Sequence, residues 1–147
     1  MSENIRKTLQ LLQDRFRDEK WVDVTVYRYF RDELSVALGT DLTYSHVAEL
    51  IFKRPLFFSG PFSWSTSPDK RPILQLLTKE EAVSVASEHL IEMPSCIFKF
   101  SNDDDLEILI ASESADIKFQ TVFYYLRDEL AEGESLAYWL DAAAQKP

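Results

Sequence analysis

The hydrophobic positions of this chain follow two periods, and the helical one covers more of its length. Between Glu3 and Asp18, the residues Ile5, Leu9, Leu12 and Phe16 recur at three- and four-residue spacing. Ser2 is suited to cap that stretch, and Glu3 sits in its positively polarised first turn, so a helix is expected. From Trp21 to Leu38 two patterns overlap. Val22, Val24 and Val26 alternate as in a strand, whereas Val22, Val26, Phe30, Leu34 and Leu38 keep an unbroken i, i+4 stripe that stops at Gly39. The longer stripe favours a second helix. A third is predicted from Thr43 through Val47, Leu50 and Ile51, ending before Pro55, which disfavours helical geometry at Arg54. Thr78 and Glu81 have the spacing of a capping box and open a fourth, through Ala82, Val85, Ala86 and Leu90, which Met93-Pro94 closes. Ser114 precedes a fifth stripe of Phe119, Val122, Phe123, Leu126 and Leu130, which Gly133 can terminate. Leu136, Trp139, Leu140 and Ala143 make a sixth, and 145–147 are expected to fray.

Period-two alternation is clearest in Cys96, Phe98 and Phe100, and again in Leu106, Ile108 and Ile110 beyond the polar run Ser101 to Asp105. That is a hairpin. Between Leu56 and Pro72, aromatic residues are interleaved with Ser, Gly and Pro, as in short strands joined by loops. The fold expected from these elements is α+β, with about six helices packed on a small antiparallel sheet that contains the 96–111 hairpin. A mostly helical arrangement with one hairpin is the alternative. Residues 1–147 form a single globular domain in either case, since the length suits one core.

One internal echo stands out. TVYRYFRDEL at 25–34 and TVFYYLRDEL at 121–130 share seven of ten residues, and both put Val and Leu on one helical face with Arg, Asp and Glu outside it. Their flanks do not match, so two amphipathic helices reached by similar constraints are favoured over a duplication or a regular repeat.

Composition adds a charge asymmetry to this scaffold. From Ile73 onward there are fifteen Asp and Glu against five Lys and Arg, while the first 72 residues carry eleven bases and ten acids. The net charge of −9 therefore belongs to the second half, and it disfavours anionic lipid and nucleic-acid phosphates as partners. A hydrophobic content of 46% argues against disorder. One cysteine, an N-terminus that mixes acids with bases, and no apolar run long enough to span a membrane fit a cytoplasmic protein.

Candidate chemistry is sparse. Gly39, Gly60 and Gly133 are too far apart for a phosphate-cradling loop, and there is no nucleophile elbow. Cys96 shares a face with Phe98 and Phe100, where a thiol packs as a small hydrophobe. His46 and His89, each placed on a predicted helix, read as packing or surface residues, and no catalytic residue is assigned. Asp103, Asp104, Asp105 and Glu107 lack the alternation and the glycine of a calcium loop, so neither a metal nor another cofactor is expected. Phe57, Phe58, Phe62 and Trp64 read mainly as core, with one or two available as interface anchors.

What remains is a surface. Asp103, Asp104, Asp105, Glu107, Glu113 and Asp116 are the expected partner-binding residues, with Glu132, Glu134 and Asp141 extending the acidic stretch. An acidic face on a conventional scaffold points to a basic protein partner. The concrete expectation is an immunity protein that blocks a nuclease-type toxin. An acidic dimeric chaperone or scaffold is the alternative, and a carboxylate-dependent enzyme is less favoured.

Overall fold

A computed structural model describes residues 3–93 and 95–140. Helix α1 (Glu3–Phe16) follows the predicted pattern and buries Ile5, Thr8, Leu12 and Phe16. The chain then enters β1 (Val22–Phe30), β2 (Glu33–Gly39) and β3 (Ser45–Lys53), followed by the short strands β4 (Phe57–Ser59), β5 (Ser63–Thr66) and β6 (Leu74–Leu76). Helix α2 (Lys79–His89) leads into β7 (Cys96–Phe100), β8 (Ile108–Ser112), β9 (Ser114–Phe123) and β10 (Glu134–Leu136). A last helical turn, α3, covers 138–140.

The described residues are thus mostly β, 42% strand and 20% helix, in one six-stranded and one four-stranded sheet. The expectation of about six helices on a small sheet is overturned. The larger sheet has the order β10-β9-β3-β2-β1-β5 and the smaller β4-β8-β7-β6. Three predicted helices are strands, and the longest of the stripes shows why: positions spaced by four are also spaced by two twos. Val22, Val26, Phe30, Leu34 and Leu38 satisfy a strand as well as a helix, and Val24 and Val36 complete the alternation at positions a helix would turn away. β1 and β2 form a hairpin whose last pair, Phe30 with Glu33, leaves a two-residue turn in which Arg31 takes φ 58. His46, Ala48, Leu50 and Phe52 alternate as the buried residues of β3. The stripe after Ser114 forms β9 and then leaves the sheet as a loop. Of the predicted last helix, Leu136 lies in β10, and 141–143 lie outside the described residues, as do Asp141 and 145–147.

The two sheets face each other across the main core. Val24, Leu34, Val36, Leu38, Ala48, Leu50 and Phe52 come from the large sheet, and Leu74, Phe98, Phe100, Ile108 and Ile110 from the small one. α1 packs beside β9 in the same core. The Gln13 side chain ties the helix down, accepting from the Ile73 backbone N–H at 2.9 Å and donating to the Pro68 carbonyl at 2.9 Å.

α2 covers the opposite face of the small sheet. Ala82 and Ala86 let it approach Ile97 and Ala111 closely, with Leu77 and Val85 alongside. Its start is as predicted: the Glu81 backbone N–H donates to the Thr78 hydroxyl, and the Thr78 backbone N–H donates to the Glu81 carboxylate at 3.0 Å. That backbone donor is the first reason the Glu81 carboxyl is held below the ordinary glutamate range. A depressed carboxyl stabilises the folded state above its unfolded titration range, and that contribution is lost as pH falls through the folded one. Leu90 closes α2 in the left-handed conformation and donates its N–H to the Ala86 carbonyl. Thr78→Ala is expected to cost about 1 kcal/mol, read as a lower urea midpoint at unchanged slope.

Candidate functional site

The carboxylates singled out from the sequence fall into two groups at opposite ends of β8. Asp103, Asp104, Asp105 and Glu107 belong to the β7–β8 loop, and Glu113 and Asp116 follow the far end of the strand. The six residue steps from Glu107 to Glu113 span about 20 Å in extended chain. The loop is built from within. Asn102, buried, accepts from the backbone N–H groups of Asp104 and Leu106 and donates to the Leu106 carbonyl at 2.6 Å. The Asp103 N–H donates to the Ser65 carbonyl at 2.9 Å, so the loop tip also fastens the small sheet to β5 of the large one.

Several of these acids already have partners. Ser67 donates to Asp103 at 2.8 Å. Arg71 lies 3.5 Å from Asp105, Arg54 lies 3.4 Å from Glu113, and Lys53 lies 3.5 Å from Asp116. Such exposed pairs stabilise little, but they do reduce the field offered to a partner.

A more concentrated acidic surface arises where α2 crosses the hairpin. Acids favour the first turn of a helix, which places Glu80 and Glu81 there, and Glu88 lies two turns on along the same helix. Glu107 arrives from the loop, its carboxylate 4.0 Å from His89 Nε2. Between helix and sheet runs a groove of about 460 Å³ whose floor is Leu77, Val85 and Leu109. Glu80, Glu81, Glu88 and Glu107 form its rim, and Lys99 contributes one cation. Glu81 is engaged in the helix cap. Among the described residues, Glu80 and Glu88 have neither an ion pair nor a hydrogen-bond partner for their carboxylates.

His89, the last residue of α2, is partly buried against Phe57, as expected of a packing residue, whereas His46 is fully buried in β3 and lies on no helix. In a regular strand His46 and Glu49, three apart, would face opposite sides. The pairing of β3 with β9 shifts register between His46 and Ala48, and the two side chains meet at 2.8 Å. A second shift, between Val26 and Arg28, adds Tyr27 to the same neighbourhood, its ring 4.7 Å from the imidazole. Tyr124 completes it, with its hydroxyl 2.6 Å from Nδ1. Sequence reasoning missed this cluster. Its available signal was the tyrosines of the echoed segments.

Cys96 is half-buried, and burial pushes its thiol up, the reverse of what a nucleophile requires. Its Sγ faces the Glu113 carbonyl at 3.8 Å. Of the aromatic loop, Trp64 is core, packed on Phe100 at 4.9 Å, Phe57 and Phe58 are half-buried, and Phe62 is exposed. Among the described residues no group of His, Cys, Asp or Glu is arranged to hold a metal ion, and no helix is long and apolar enough to cross a membrane. Comparison with protein-family models, curated proteins and solved structures finds no match.

Proposed function

We propose that this chain is a small binding protein that captures a basic protein partner, most concretely as an immunity-type inhibitor of a nuclease-type toxin in the cytoplasm. The observation that carries the reading is the groove beside α2, because it joins an apolar floor to a carboxylate rim. Leu77, Val85 and Leu109 offer area to be desolvated, and Glu80, Glu88 and Glu107 select lysine and arginine at its margin. Asp103, Asp104 and Asp105 lie in the same loop as Glu107 but outside the groove lining, with Asp103 held by Ser65 and Ser67 and Asp105 beside Arg71. Glu113 and Asp116, at the far end of β8, fall outside this contact.

A nuclease gathers phosphates in a basic cleft, and an acidic cover over that cleft excludes substrate while the opposed fields speed association. Inhibition is then steric and electrostatic and needs no chemistry from the inhibitor.

The test is affinity capture from the native host at low salt, elution along a salt gradient, and assay of the eluted protein on DNA and RNA. The expected result is a basic protein released stoichiometrically by salt, whose nuclease activity is suppressed when the chain is added back. An acidic or neutral partner, or a basic one whose activity is unaffected, would overturn the reading.

A further inference from the structure

The outer face of the large sheet, turned away from the main core, carries a second cluster that partner capture does not use. Ala37 on β2, paired with Thr25 on one side and Glu49 on the other, is fully buried on that face. The same face carries a cluster of rings. Tyr27 stands 5.3 Å from Tyr138 and 5.8 Å from Trp139, and Trp139 stands 5.4 Å from Tyr124. Residues 137–140 cross this face as a strap. The Ala137 N–H donates to the Phe123 carbonyl at 2.8 Å, and the Tyr138 N–H donates to the Tyr27 hydroxyl at 3.2 Å. Tyr138 and Trp139 remain partly exposed, while His46 beneath them is fully buried.

The hydrogen bonds of His46 fix its protonation pattern. The Glu49 carboxylate only accepts, so Nε2 carries a proton and donates to it. In the neutral imidazole Nδ1 then accepts from the Tyr124 hydroxyl. Burial raises both neighbouring phenols, Tyr27 and Tyr124, above the ordinary tyrosine value, so both keep their protons.

We propose that His46 is a pH-sensitive pin: protonation at Nδ1 reverses its hydrogen bond to Tyr124 and releases the strap 137–140 from the outer face. A proton taken from solvent turns Nδ1 into a donor that meets the Tyr124 O–H, also a donor. The hydroxyl must rotate to accept, and among the described residues its proton then has no acceptor in the hydrogen bonds of this face. Tyr124 is the surface on which Trp139 rests, so the strap loses its seat.

The remaining groups that face the imidazole decide whether the domain survives this. Glu49 on β3 is the carboxylate in contact with the ring and balances the new charge. Tyr27 on β1 meets it edge-on and carries no charge. Arg28 lies over the rings of Phe30 and Tyr138 at 4.5 and 4.4 Å, and Lys118, exposed on β9, is the cross-strand partner of Glu49. Protonation is therefore accommodated at His46, and its cost falls on the strap. The sign follows: the strap is closed while His46 is neutral and opens as pH falls.

The test is hydrogen exchange by NMR of the Tyr138 amide, corrected for intrinsic pH dependence, with the Trp139 indole resonance followed over the same range. The Tyr138 amide should lose protection by roughly two- to tenfold, the worth of one net hydrogen bond, along a single-proton curve. The Leu90 amide, which closes α2 on the far side of the molecule, should not move. His46→Gln can still donate to Glu49 and accept from Tyr124, and should leave the strap closed at every pH. Tyr124→Phe has no hydroxyl proton to strand and should show the same protection of Tyr138 at every pH, which keeps the test decisive where the glutamine variant does not fold. Constant protection of Tyr138 in the parent chain, or a pH step that persists in either variant, would overturn the proposal.

Discussion

Phe52→Ala is expected to lower the stability of this domain by about 3–5 kcal/mol, the usual range for emptying a buried phenylalanine site. Phe52 is fully buried on β3, the central strand between β2 and β9. Its ring meets Phe98 at 5.5 Å and Phe100 at 5.9 Å, both from the opposing sheet. Trp64 continues this stack through Phe100, so the aromatic contact between the sheets passes through neighbouring rings. Collapse of the site is difficult. β3 is hydrogen-bonded on both sides and β7 lies between β6 and β8, so neither backbone is free to move into the space. The loss would be about a fifth or more of the ~5–15 kcal/mol that a domain of this size ordinarily has. Urea unfolding of Phe52→Ala beside Phe52→Leu measures it, with the leucine variant expected to recover more than half of the loss. A cost near 1 kcal/mol for alanine would mean that the sheets are held together elsewhere.

The strands most wrongly read were those whose inward residues came at even spacing over a long run. In Trp21 to Leu38 the decisive residues were Val24 and Val36, which fill the i+2 positions, and the run of β-branched and aromatic side chains from Val22 to Phe30. Gly39 ends a strand there. The Arg-Asp-Glu-Leu tetrapeptide at 31–34, read as the polar side of a helix, is a two-residue turn entering β2, and its copy at 127–130 is an exposed loop. α2 was legible because a capping box marks a helix start by its own chemistry, independent of tertiary context. The 96–111 hairpin was legible because two alternating runs flank one polar loop, and β7 and β8 do pair, with Phe98 opposite Ile110.

The groove was legible only in part. Glu107 stood among the expected contact residues, but the chain groups it with Glu113 and Asp116, which the sheet carries to the other end of β8. Glu80 and Glu88 read as the ordinary solvated side of a helix, and nothing local tells that α2 will lie across the hairpin beside Glu107. The His46 cluster was hidden more thoroughly. It joins β1, β3 and the end of β9, and it depends on two register shifts that alternation alone cannot locate.

Reversing Glu80, Glu88 and Glu107 together to lysine is expected to slow association with the basic partner by about 10²-fold at low salt, within the range attributed to electrostatic steering. At physiological salt the same change at Glu113 and Asp116 should alter the rate by less than about threefold, because roughly 20 Å of extended chain separates Glu113 from Glu107 and the screening length there is about 8 Å. Their charges are also already opposed by Arg54 and Lys53. Folding should survive the triple change. The three carboxylates are exposed, and Glu80→Lys, in the first turn of α2, carries the largest local penalty, about 0.3–1 kcal/mol from the helix dipole. Association kinetics at two ionic strengths separate the effects: the parent rate should fall steeply with salt, the triple variant should be slow and nearly salt-independent, and the far-end variant should follow the parent. Dissociation reports on the floor instead, where Val85→Ala should shorten the lifetime of the complex without changing the salt dependence of its formation. If both charge variants slow association equally, the partner responds to net charge alone, and the groove is not where it binds.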